Sequence, residues 1–252
     1  LYRLSEVSYP DGETVTYAYD PMGNRTVMTS TVQGSTTYSY DVGDRLLDFT
    51  DASGTTSLTW DDNGNLMSQG STTYTFDALN RLTQVVSGTT TVQYQYDGDG
   101  MRLAKTVDGT ITSYVQDVGS PLPVVLTESS NGQTSSYLYG LDLLAQLDPA
   151  DVPSYYHSDG LGSTVALTNP AGQWTDRYSY DVFGQVRLQQ GSADQPFTFT
   201  GEQVDAELGL VFLRARYYDP QLGRFISRDQ FPGFAVDPGS LNGYVYAQNN
   251  PI

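Results

Sequence analysis

The sequence predicts an all-β fold: an antiparallel ribbon of β-hairpins that spirals into a shell or barrel-like wall and ends in a distinct closing segment. Three observations carry this expectation. A motif of the form Tyr-x-Tyr-Asp, followed by Gly, Asn or Arg, recurs through the first hundred or so residues. Before each Asp, aromatic or β-branched residues alternate with small polar ones, the period of two that half-buries a strand. Gly, Asn and Ser pairs then punctuate the chain about every ten residues, where hairpins need positive φ.

Bulk properties bound the function. A chain of 252 residues with 38% hydrophobic and 12% aromatic content can build one large β core. Its 20 tyrosines against nine phenylalanines suit surfaces where a ring packs and its hydroxyl reaches a partner. A net charge of −17 makes nucleic acid and anionic membranes repulsive partners, so neither nucleic-acid binding nor membrane insertion is expected. The lack of cysteine removes disulfides, thiolate chemistry and Cys-based zinc sites. No apolar run has the length of a membrane span and no signal peptide is visible. Because it begins at Leu1 in mid-pattern, the chain is expected to be a piece of a longer protein.

The repeats come first in chain order. Tyr17, Tyr19 and Asp20 lead into Gly23-Asn24-Arg25, and Tyr38, Tyr40 and Asp41 into Arg45-Leu46. Leu58, Trp60 and Asp61 precede Gly64-Asn65-Leu66, and Tyr74, Phe76 and Asp77 precede Asn80-Arg81-Leu82. Tyr94, Tyr96 and Asp97 complete the series with Gly100-Met101-Arg102-Leu103. The Asp intervals of 21, 20, 16 and 20 residues fit one supersecondary unit each. Within a unit the Asp can bond backbone amides two residues on and a nearby Gly or Asn accepts positive φ, so the motif is a turn. A second strand follows, and Gly34-Ser35, Ser53-Gly54, Gly70-Ser71, Ser87-Gly88 or Asp108-Gly109 ends it. Arg25, Arg45, Arg81 and Arg102 stand four or five residues after the Asp and are expected to clasp it, at about 0 to 1 kcal/mol each.

From Thr110 to Ala150 the period blurs, and Gly119 to Pro123 is expected to form a kink or edge because proline denies ladder donors. Asp148 to Pro153 marks the boundary between a hairpin ribbon over residues 1–150 and a closing core over residues 151–252, continuous with the same shell. Turns at Asp159 to Gly162 and Asn169 to Gly172 and a repeat at Tyr178, Tyr180 and Asp181 resume the pattern. His157 is the only histidine and is expected to bond a strand neighbour rather than serve a triad, while Gly160-x-Gly162-Ser163 is a turn. Asp61 to Asn65 and Asp97 to Gly100 occupy turn slots and lack the later positions of a calcium loop, so no metal or cofactor is expected.

Gly209 to Asp229 reads GLVFLRARYYDPQLGRFISRD and holds four of the twelve basic residues, Arg214, Arg216, Arg224 and Arg228. Alternation through Arg214 and Arg216 predicts one strand with Phe212 and Tyr218 on one face and Val211 and Tyr217 on the other. Asp219-Pro220 stops it and Leu222-Gly223 turns the chain. In so acidic a protein the arginines are expected to pair with carboxylates as a structural network.

These residues closely resemble the core that closes Rhs and YD-repeat proteins, a group including bacterial polymorphic toxins, the C components of Tc toxins, and teneurins. YYHSDGLGSTVALTNPAGQ from Tyr155 and LNGYVYAQNNPI from Leu241 resemble further pieces of it. The resemblance implies a core motif of Arg214, Arg216, Tyr217, Tyr218, Asp219, Arg224 and Arg228. It also implies a structural shell of a secreted or cell-surface protein that encloses or presents a protein cargo or C-terminal toxin domain. Two alternatives are an autoproteolytic aspartyl peptidase core and an extracellular adhesion module binding glycan or protein. For the peptidase, Asp229 in Gly223-Arg224-Phe225-Ile226-Ser227-Arg228-Asp229 is the catalytic candidate implied by the resemblance. A lone carboxylate cannot hydrolyse a peptide bond. The family's second acid lies in an Asp-Pro-x-Gly segment beyond Ile252, and Asp237-Pro238-Gly239 lacks its middle residue and is taken as a loop, so this chain by itself is expected to be non-enzymatic. About 18 strands at ~4.8 Å spacing give a ring roughly 30 Å across, too narrow for a folded cargo, so the interior should be filled or the ring open.

Overall fold

The computed structural model describes residues 3–119, 122–193 and 195–251. Ser120 and Pro121 of the expected kink, and Ile252 at the end of the terminal stretch, lie outside the described residues. The ribbon begins with β1 (Glu6–Ser8), β2 (Thr14–Tyr19), β3 (Arg25–Ser30), β4 (Gly34–Tyr40), β5 (Leu46–Asp51), β6 (Gly54–Trp60) and β7 (Leu66–Gln69). It continues through β8 (Thr72–Phe76), β9 (Leu82–Ser87), β10 (Thr90–Tyr96), β11 (Arg102–Val107), β12 (Thr110–Asp117) and β13 (Val124–Ser130). β14 (Gln133–Tyr139), β15 (Leu143–Leu147), β16 (Pro153–Ser158), β17 (Thr164–Thr168), β18 (Trp174–Tyr180) and β19 (Val186–Gln190) complete it. Each strand pairs antiparallel with the next, making a meander of 19 strands among the described residues. Its ladder crosses residue 150 without a break, since Asp148 to Val152 is another Asp turn between β15 and β16.

One turn design repeats. The Asp carboxylate accepts from the amides two and four residues on, as Asp41 does from Gly43 and Arg45, Asp77 from Leu79 and Arg81, and Asp159 from Leu161 and Ser163. The side chain four residues on then covers that carboxylate: Arg45 Nε lies 2.6 Å from Asp41 and Arg81 Nε 2.7 Å from Asp77, the expected clasps. Asn24 and Asn65 do the same for Asp20 and Asp61 at 2.9 and 2.8 Å. The residue five on opens the next strand and points into the ribbon, where Leu46, Leu66, Leu82 and Thr164 are all buried. Arg25 and Arg102 occupy this inward slot, so the expectation that they clasp Asp20 and Asp97 is corrected by the one-position offset.

The aromatic residue before the Asp has its own task in four of the repeats. Tyr40 OH donates to Arg25 O, Trp60 Nε1 to Leu46 O, Tyr96 OH to Leu82 O and Tyr180 OH to Thr164 O, at 2.7 to 2.9 Å. In these repeats the acceptor is the carbonyl of the residue that opens the strand after the preceding turn. The hydroxyl, or the indole N–H at Trp60, therefore ties one hairpin to its predecessor.

A second sheet fills the ribbon: β20 (Gln203–Asp205), β21 (Leu210–Leu213), β22 (Arg216–Asp219) and β23 (Arg224–Phe225). The predicted single strand through Arg214 is thus a hairpin, because Leu213 pairs with Arg216 and Arg214 turns the chain at φ 58°. That left-handed backbone costs a non-glycine residue about 1 kcal/mol, and Arg214 is held there by Glu202 and Pro123 O. Asp219 ends β22 and Gly223 turns the chain as expected. Leu210, Phe212, Tyr217, Leu222 and Ile226 of this plug pack with Leu46, Leu58, Leu66, Leu82, Val92 and Tyr94 of the wall. Phe197 closes a second cluster with Tyr114, Tyr137, Tyr156 and Tyr178. Backbone bonds from Leu66 N to Ile226 O, Thr164 N to Thr198 O and Leu4 N to Asn249 O stitch plug to wall.

No ladder joins β19 to β1 among the described residues, so the wall is not a closed barrel. Side chains bring its ends together instead. Arg187 pairs with Asp11 and Glu13, lies 3.7 Å above the Tyr9 ring, and Tyr9 OH accepts from Val182 N.

Candidate functional site

The chemistry-bearing side chains gather where the plug meets the wall. Arg102, 1% exposed, reaches across from β11 to the plug: Nη1 lies 2.9 Å from Asp205 Oδ2 and 3.1 Å from Tyr217 OH, and Nη2 donates to Gln203 Oε1 at 3.0 Å. Tyr94 OH donates to Asp205 at 2.8 Å, and Lys105 Nζ bridges Asp205 and Glu207 at 3.1 and 2.9 Å. Burial works to lower Lys105, but Asp205, Tyr114 and Glu207 together outweigh it and hold the ammonium above its ordinary value. Burial, reinforced by the Asp205 charge, keeps Tyr94 a neutral donor. Asp205 thus takes three side-chain donors, Arg102, Tyr94 and Lys105, and locks wall to plug, although Arg102 Nε and Gln203 Nε2 are buried without a partner.

The sequence-predicted core residues lie around this lock in separate roles. Tyr217 belongs to it, its ring tilted against those of Tyr94 and Phe212, each 5.0 Å away. Tyr218 is fully buried, donates to Phe183 O at 2.6 Å and packs 4.5 Å from Tyr246. Arg214 and Arg216 find the carboxylates expected of them in Glu202 and Asp229. Arg224 does not: its Nη2 donates to Asp44 O at 2.6 Å, between the rings of Tyr40 and Tyr244, and burial pushes its guanidinium down. Arg228 is exposed and makes no ion pair among the described residues.

Asp229 is held on both oxygens. Arg216 Nη2 donates to Oδ2 at 2.6 Å and Phe231 N to Oδ1 at 2.9 Å, while Arg216 Nη1 and Asp229 N both donate to Gly243 O. This fixes one carboxylate beside the terminal segment. Asp237 accepts from Gly239 N at 3.2 Å and caps a short 3-10 turn, so the Asp237-Pro238-Gly239 loop is a local structure. Asp219 is different: burial raises its carboxyl to about 6, although Leu222 N, Gln221 N and the Arg25 charge all favour the anion.

Other candidates are structural. His157 Nε2 lies 3.0 Å from Thr168 Oγ1 and its ring 4.9 Å from Trp174. Asp61 and Asp97 bond backbone amides of their turns. Sequence reasoning missed Lys105, Asp205 and Glu207. The available signal was Glu202, Asp205 and Glu207, three acids directly before the arginine-rich stretch.

Comparison with known proteins agrees with this architecture. The tRNA3(Ser)-specific nuclease WapA of Bacillus spizizenii is 34% identical over the whole of this chain, which spans 11% of that protein. Toxin protein Tse5 of Pseudomonas aeruginosa is 35% identical over 39% of the chain and 7% of its own length. The chain therefore spans about a tenth or less of the length of these two relatives. A TcdB2-TccC3 structure without its hypervariable C-terminal region superposes with a TM-score of 0.57 at 17% identity, over 98% of this chain and 17% of that one. The profile of the Teneurin YD-shell family matches residues 2–252, the wall and the plug together, and the chain belongs to that family.

Proposed function

We propose that this chain is a segment of wall and its plug from a secreted or cell-surface shell that encloses or presents a C-terminal protein cargo. The observation that carries the reading is the division of labour in the fold. The ribbon's inner face is apolar and is sealed by the chain's own closing segment, while the outer sides of its two edge strands carry no ladder among the described residues. A wall of this kind can be extended strand by strand and stoppered at one end, which is what a container needs. The cavity left beside the plug, about 490 Å³ between Phe212 and Arg214 and the wall at Tyr139 and Tyr156, is too small for a folded domain, so a cargo would occupy a longer wall. Limited proteolysis of the parent protein tests this: the cargo should resist protease at concentrations that digest it as a free domain. Equal digestion rates would overturn the shell reading.

A second reading rests on Asp229. Its anchoring by Arg216 and Gly243 holds one carboxylate beside the terminal segment, which supports a role as one member of an aspartyl pair in a longer parent. This chain, incubated from pH 4 to 8, should remain a single mass. The parent extended past Ile252 should split, and Asp229→Asn should stop it. Cleavage that persists in the extended Asp229→Asn protein would remove Asp229 from the reaction.

A further inference from the structure

Arg25 and Arg224 present an electrostatic problem that the fold leaves open. They come from opposite ends of the chain, β3 and β23, and face one small cavity lined also by Gly23, Tyr40, Gly223 and Asn249. Arg25 is 7% exposed and Arg224 5%. Neither has a carboxylate within ion-pair distance among the described residues. Each makes one backbone bond, Arg25 Nη2 to Leu222 O at 2.7 Å and Arg224 Nη2 to Asp44 O at 2.6 Å. The Nε atoms of both are buried and have no hydrogen-bond partner.

Aromatic faces relieve part of the cost. Arg25 lies 4.8 Å from the Tyr38 ring and 5.2 Å from Phe183, and Arg224 4.8 Å from Tyr40. Ring quadrupoles do not satisfy N–H donors in the guanidinium plane, and burying a charge without a counter-charge costs several kcal/mol. Asp181 and Asp219 feel the Arg25 charge through space without touching it. No carboxylate does so for Arg224: burial pushes it down, the Arg25 charge adds to that, and only the neutral hydroxyls of Tyr40 and Tyr244 work the other way.

We propose that the cavity between Arg25 and Arg224 binds one halide ion, chloride in ordinary saline. A halide accepts from both Nε–H groups and supplies the negative charge that a water molecule in the same place would not. The cavity, about 10 Å³, has room for one water-sized species and excludes sulfate or phosphate. The protein's net charge of −17 does not forbid it, because distant surface carboxylates are screened beyond about 10 Å at 0.1 M salt while the two guanidiniums are adjacent. The ion would clamp the first repeat turn, where Asn249 Nδ2 donates to Gly23 O, to the turn at Leu222 and Gly223.

The test compares urea denaturation of the whole chain in sodium gluconate, chloride, bromide and sulfate at one ionic strength and pH, with anomalous diffraction from bromide-soaked crystals. Halide should stabilise saturably, lowering the unfolding constant about a hundredfold at a hundred times its Kd, and a single bromide should lie between the two guanidiniums. Arg224→Met should abolish the halide response. If that variant does not fold, the bromide position in the unaltered protein still decides. Equal midpoints in gluconate and chloride, an absent bromide peak, or equal stabilisation by sulfate would each overturn the proposal.

Discussion

A difference of one position separates an arginine that clasps a turn from one that locks the interior. Arg45 and Arg81, four residues after their Asp, lie across the turn with partly exposed guanidiniums, whereas Arg102, five after Asp97, is sealed against Asp205. Arg102→Met should therefore destabilise the fold by about 3 to 5 kcal/mol, because it strips the buried Asp205 of its guanidinium. Arg216→Met should cost only about 1 kcal/mol, since the Asp229 side chain is 37% exposed and keeps its water. Chemical denaturation separates the two, and equal losses would contradict the assignment of the lock. Asp219 makes the pH prediction. Its folded pKa of about 6 lies above the ordinary 3.8, so between these values the folded chain holds a proton that the unfolded chain releases. Stability from this group thus falls as pH rises from about 4 to 6, by roughly 2 to 3 kcal/mol in all. Asp219→Asn, which keeps an oxygen for the Gln221 and Leu222 amides, should flatten that slope in a pH series of urea midpoints. The arginine offset was legible in the repeat spacing, since Arg25 and Arg102 stand where other repeats have Leu. The partner of Arg102 was not, because Asp205 is 103 residues away and only the packed fold joins them.

At the scale of the element, the repeat explains why Tyr and Asp stand together. The Asp organises its own turn, and the Tyr before it reaches back to the preceding hairpin's strand opening, so the dipeptide couples local and next-neighbour structure. Tyr40→Phe should remove one such tie while leaving the ring packed, at a cost of about 1 kcal/mol. Urea denaturation would show it, and hydrogen exchange should quicken first around β3 and β4. A loss spread evenly over all repeats would argue against a neighbour-to-neighbour tie. Strand and turn positions were readable because period-two alternation and Asp-x-x-Gly spacing are local signals. The hairpin at Arg214 was not: unbroken alternation put Phe212 with Tyr218 and Val211 with Tyr217, whereas the turn swaps the faces and joins Phe212 to Tyr217 and Val211 to Tyr218, and the left-handed φ falls on an arginine where a glycine would have announced it.

At the scale of the whole molecule, wall and plug are each other's core. Strands β5 to β10 bury Leu46, Leu58, Leu66, Leu82, Val85 and Val92 against Leu210, Phe212 and Ile226, so without the plug that face would meet water. Each large aliphatic side chain so exposed forfeits about 1.5 to 3 kcal/mol, and several together exceed the 5 to 15 kcal/mol by which a domain is usually stable. The side-chain seam of Arg187 with Asp11 and Glu13 cannot replace this loss, being partly exposed and open to screening by salt. The chain shortened to residues 1–193 should therefore lose its cooperative unfolding transition and bind a hydrophobic dye, while the full chain unfolds in one step by both circular dichroism and tyrosine fluorescence. Arg187→Met in the full chain should leave that single transition intact and quicken amide exchange only in β1, β2, β18 and β19. If residues 1–193 alone unfold cooperatively at the full chain's midpoint, the wall is self-supporting and the plug is a passenger, and the interdependence argued from the shared core is wrong.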